Sequence, residues 1–195
     1  MQQPVARHGM GNLRSMVISM VVILAALLVW WAMVPRELGQ GQPAVDVTSV
    51  ARQVRQETSW PISQPQLPAG WKATNVRFTT AGDGLRTWHA GYLSPEGMCP
   101  EDKGPEAKCY VSIDQTSVAS ATDRWVSTQT SNGQADGTLS AAGTVWQKLS
   151  SRDIVQRSLV SRDSDASGLI TVLSGTAPYT QLAQFAESLE PVPAS

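Results

Sequence analysis

Histidine and cysteine are scarce in this chain, with two of each among 195 residues. A structural zinc centre needs four Cys, His or carboxylate ligands, and the Cys99–Cys109 spacing is not that of a zinc knuckle, so no metal site is expected. Only His89 lies outside the N-terminal region, which leaves one imidazole for acid–base work. Charge is sparse too: charged residues are 16% of the chain and the formal net charge is −1. No basic stripe exists for a phosphate backbone, so a nucleic-acid partner is excluded. The chain has no Walker loop, no Gly-x-Gly-x-x-Gly, no His-Glu-x-x-His and no Gly-x-Ser-x-Gly. No cofactor is implied. It also lacks an Asn-x-Ser/Thr sequon, an internal repeat and a long low-complexity tract.

What it does have is an apolar run. Residues 16–34, MVISMVVILAALLVWWAMV, are nineteen residues without a charge. As a helix they would reach about 28 Å, close to a bilayer's hydrocarbon thickness. Trp30 and Trp31 near one end suit the headgroup level. The run is longer than a signal-peptide core and ends in bulky residues rather than a small-x-small site, which favours a retained anchor. The predicted organisation is a cytoplasmic tail over 1–15, a transmembrane helix over 16–34, a linker over 35–43 and an extracytoplasmic domain over 44–195. Arg7 and Arg14 in a short, acid-free tail place the N-terminus inside, as does a cysteine pair suited to an oxidising exterior. The protein is then a single-pass protein of the cell membrane, with the lipid bilayer as the partner of residues 16–34.

The remaining chain makes one domain. Residues 36–195 hold all sixteen acids and thirteen of the fifteen basic residues, a formal charge of −3. Asp46 caps a helix in which Val47, Val50, Ala51 and Val54 share a face. Three prolines keep residues 60–68 extended. Period-two patterning predicts strands over 72–80, 85–93 and 110–116, with Trp88 and Tyr92 on one face and His89 on the other. A helix capped by Ser120 or Thr122 runs to about Thr130. Strands follow over 144–149, 154–161 and 169–174. Leu182, Phe185, Ala186 and Leu189 mark a last amphipathic helix, ended by Pro191 and Pro193. The expected fold class is α+β: an antiparallel sheet with helices packed on one face. Trp71, Trp88, Trp125 and Trp146 are expected to supply much of its core.

Three features invite a chemical reading. Cys99 and Cys109 bracket a charged loop over 100–108 and should form a disulfide, which would present that loop as a contact surface. Asp163, Asp165, Ser167 and Gly168 match the start of a calcium loop, but its twelfth position is Ser174 rather than Glu, and a polar turn explains them better. Asp114, Asp123, Asp136 and Asp153 could converge as a carboxylate pair, although their spacing does not call for it.

Leu67-Pro68-x-Gly70-Trp71 and Trp88-His89-x-Gly91-Tyr92, with the apolar run and the DVTSVARQV helix, resemble a family of actinobacterial single-pass membrane proteins, domain of unknown function 4245. The resemblance implies a membrane-anchored envelope protein and carries no activity or functional residue with it. The expected function is a non-catalytic binding or interaction domain for an envelope protein or cell-wall partner. The alternatives are an envelope hydrolase using His89 and a small-molecule or lipid carrier.

Closing a loop as short as that between Cys99 and Cys109 stabilises by about 2–3 kcal/mol on the chain-entropy model. Replacing both cysteines by serine should lower the unfolding free energy by that amount, as measured by urea titration of wild type and variant.

Overall fold

The computed structural model describes residues 13–33, 45–82, 84–99, 104, 106–117, 119–120, 122–161 and 168–193. The chain divides into two compact units, Met1–Gly41 and Gln42–Ser195. In the first, α1 covers Leu13–Met33. The transmembrane expectation is nevertheless overturned: among the described residues no helix is long and apolar enough to cross a membrane. The cell-membrane localisation, with its cytoplasmic tail and extracytoplasmic domain, falls with that finding. The 35–43 linker lies outside the described residues.

The second unit is mostly β-sheet. Its elements run α2 (Val47–Thr58), β1 (Ser63–Pro65), β2 (Lys72–Thr80), β3 (Arg86–Leu93), β4 (Tyr110–Ser117), α3 (Asp123–Gln129), β5 (Gln134–Ala141), β6 (Thr144–Ser150), β7 (Arg157–Ser161), β8 (Leu169–Gly175), α4 (Tyr179–Glu187) and β9 (Leu189–Pro191). Seven strands form one sheet in the order β2-β3-β4-β8-β7-β6-β5, and every pairing is antiparallel. β1 and β9 make a separate two-stranded ribbon. Buried Gln115 ties that ribbon to the main sheet: its Oε1 accepts from Ser63 N at 2.8 Å and its Nε2 donates to Thr171 Oγ1 at 2.9 Å.

Local chemistry starts the helices where the sequence asks. Asp46 Oδ1 accepts from Ser49 N at 3.0 Å and Thr122 Oγ1 from Trp125 N at 3.2 Å, so two otherwise orphan amides are satisfied. α2 ends at Ser59, which takes a left-handed φ of 60°.

The sheet has a filled side and a mixed side. Trp88, Ala90 and Tyr92 of β3 point the same way as Val111 and Ile113 of β4 and Leu173 of β8, by register. Leu182, Phe185 and Ala186 of α4 and Val47, Ala51 and Val54 of α2 join them in one buried cluster. Phe185 is its hub, with ring centroids 5.6 Å from Tyr92 and 5.9 Å from Trp71. On the opposite face Trp125 and Val126 of α3 cluster with Leu149, Val160, Ile170 and Val172. The expectation of helices on one face is therefore corrected: α2 and α4 cover one face and α3 covers part of the other. The cause is β8, buried at every position. A strand apolar on both faces needs cover on both.

β5 was not anticipated. It is an exposed edge strand whose pairing slips between Ala135 and Thr138. Gly137 sits there at φ 89°. Such a bulge breaks the period-two signal and blunts the edge against foreign strands. Trp88, Trp125 and Trp146 are buried as expected, while Trp71 is half-buried.

The chain has three tyrosines, and burial holds all three phenols neutral. Desolvation raises Tyr92 and Tyr110 above the ordinary value of 10.0. Tyr179 is pushed up to about 12, first by desolvation and then by the neighbouring Asp136 carboxylate. The unfolded chain would release these protons first, so the stability they support is whole below pH 10 and is lost as pH rises toward 12 and beyond. A near-ultraviolet titration of the folded protein should show little phenolate at pH 10, with ionisation arriving together with unfolding. Full ionisation near pH 10 in a folded protein would contradict this burial.

Candidate functional site

The mixed face carries the candidate site. Alternation along β3 that sends Trp88, Ala90 and Tyr92 into the core sends Thr87, His89 and Gly91 the other way. Register sets His89 opposite Arg77 on β2 and Asp114 on β4. His89 is 6% exposed and Asp114 2%. The imidazole Nδ1 lies 2.7 Å from Asp114 Oδ1. The other carboxylate oxygen accepts from Ser112 Oγ at 3.2 Å, and Ser112 Oγ lies 3.0 Å from Ser174 Oγ. On the far side of the ring, Nε2 lies 3.2 Å from Asn75 Oδ1 and 3.4 Å from the Tyr110 hydroxyl.

Gly91 makes room for that meeting. A Cβ there would run into Asn75 Oδ1 and the Tyr110 ring and hydroxyl. This explains the Trp88-His89-x-Gly91-Tyr92 element: two aromatic residues face the core, while the imidazole and the glycine face the polar network.

Beside the network is a cavity of about 390 Å³. β2 contributes Arg77 and Thr79, β3 Thr87 and His89, and α3 Arg124, Trp125 and Gln129. Trp125 fixes α3 over it, donating from Nε1 to Thr87 Oγ1 at 3.0 Å.

The chemistry available follows from these contacts. A carboxylate on imidazole Nδ1 is the orienting half of a nucleophile–base–acid arrangement. The nucleophile half is a poor fit. Ser112 bonds the carboxylate rather than the imidazole, and the hydroxyl nearest Nε2 is a phenol whose burial holds its proton. Asp123, Asp136 and Asp153 sit at the start of α3, on β5 and between β6 and β7, so of the four aspartates only Asp114 meets His89. Among the described residues no group of three His, Cys, Asp or Glu side chains could hold a metal.

Cys99 and Cys109 stand at disulfide-bonding distance, with Cα atoms 5.5 Å apart. Most of the bracketed loop, 100–103 and 105, lies outside the described residues, as do Asp163, Asp165 and Ser167. Sequence reasoning missed Asn75, Arg77 and Tyr110. Each is one polar position on a strand, and only cross-strand register brings it to His89.

Fold and site together define a β-sheet domain with a pocket of mixed polar and apolar lining beside a short helix. The chain belongs to the family described as protein of unknown function (DUF4245), whose model matches residues 9–189. No curated protein and no solved structure matches the chain.

Replacing Asp114 by alanine would leave the buried imidazole Nδ1 without its partner, while the Ser112 hydroxyl keeps Ser174. The expected loss is about 3 kcal/mol of unfolding free energy, against about 1 kcal/mol for Ser112→Ala. Urea unfolding of both variants checks the difference, and equal small losses would mean that the pair is not held as described.

Proposed function

We propose that this domain is a non-catalytic binding module that holds a small polar molecule in the cavity between α3 and β2–β3. The observation that carries the reading is the state of the cavity's inner wall. His89 and Asp114 are buried there with their polar atoms occupied by one another, Asn75, Tyr110 and Ser112. A network so completed gives a preorganised surface for a ligand. The hydrolase alternative draws on the His89–Asp114 contact alone and lacks an activated nucleophile. A lipid carrier would need a mainly apolar cavity, and this one sets Arg77, Arg124 and Asp114 beside Leu85 and Trp125. A contact role for the 100–108 loop would need its own test.

The test is thermal unfolding of the full-length chain with glucose, glycerol, succinate, phosphate and spermidine in turn. One of them should raise the melting temperature, since a ligand at a hundred times its Kd stabilises by about 2.7 kcal/mol. Thr128→Trp, which places an indole at the cavity wall, should remove that rise. The reading fails if Thr128→Trp leaves the effect intact, or if the protein turns over a substrate and His89→Ala abolishes the turnover.

A further inference from the structure

We propose that the ligand of this cavity carries an oxyanion, a carboxylate or phosphate group, gripped by Arg77 from β2 and Arg124 from α3. This rests on the reading of the cavity as a small-molecule site and adds the chemical class. Three observations carry it. First, charge: among the described residues two arginines line the cavity against a single carboxylate, Asp114. Among the described residues neither arginine forms an ion pair. Asp114 offers a ligand little, because its two oxygens already face His89 and Ser112.

Second, donors: Thr87 Oγ1 accepts from the Trp125 indole and Thr122 Oγ1 from the Trp125 amide. A hydroxyl that accepts keeps its own proton to donate. Both threonines line the cavity, which places further donors beside the two arginines. Third, placement: Arg77 stands directly across the strand pair from His89, while Arg124 reaches the same cavity from α3. Two planar forks from two elements suit an oxygen cluster with several lone pairs. The whole chain is slightly acidic, at −1, so attraction of an anion here is local and should weaken with salt.

Isothermal titration of the full-length chain at low salt uses inorganic phosphate, succinate and the neutral isostere succinamide. Binding of phosphate or succinate, without binding of succinamide, is the expected result, and which anion binds tells phosphate from carboxylate chemistry. Arg77→Gln and Arg124→Gln should each weaken binding about tenfold, and the lysine variants should recover part of it. Both arginines are exposed, and circular dichroism checks that each variant folds. Succinamide binding as well as succinate, indifferent to both arginines, overturns the oxyanion assignment and leaves the cavity as a ligand site. Anion binding that ignores both arginine substitutions overturns it equally. Failure of every probe, together with no thermal shift from the neutral molecules, overturns this inference and the binding reading alike.

Discussion

The register between β3 and β4 is the constraint on which the rest depends. It sets Trp88 against Gln115, His89 against Asp114 and Ala90 against Ile113. Because side chains alternate across a strand, a slip of one residue would turn the Trp88–Tyr92 face outward and put an imidazole and a carboxylate into the core. The apolar penalty of that exchange holds the pairing in place. The polar network is thus positioned by packing on the other side of the sheet. Core and candidate site are two faces of one decision.

The second dependency is the cover over the mixed face. β8 is buried on both sides, so the sheet needs α3 as well as α2 and α4. α3 brings one apolar anchor pair, Trp125 and Val126, and its indole also reaches the polar half through Thr87. A short helix therefore sits half on a hydrophobic cluster and half over polar residues. The gap under its polar half is the cavity. Arg124 is carried there by the same helix that Trp125 fixes.

Much of the fold was legible residue by residue. The cap at Asp46, the Leu182, Phe185 and Ala186 part of the last stripe and the alternation of β2 and β3 are local signals that gave the elements expected. Leu189, expected in the last helix, leaves it for β9, and of Ser120 and Thr122 it is Thr122 that caps α3. β5 was illegible because a bulge at Gly137 removes its periodicity. The face that α3 would choose was illegible because its helical pattern says that it has an apolar side and not which surface will meet it. The apolar run was legible as a helix, and α1 forms there. Its reading as a membrane span did not survive, since no described helix reaches the required length of apolar chain.

From sequence alone came the family, the helix caps, the core aromatics and the prominence of His89 as the single downstream imidazole. Each is written in consecutive or periodically spaced residues, so it can be read without knowing what lies across the sheet. Tertiary structure alone decided that His89 would meet Asp114, Asn75 and Tyr110, and that Arg77 and Arg124 would share a cavity. Those residues lie far apart in the chain, and their proximity is a property of strand order and register. Register is set by the summed burial of many side chains, which no single motif records.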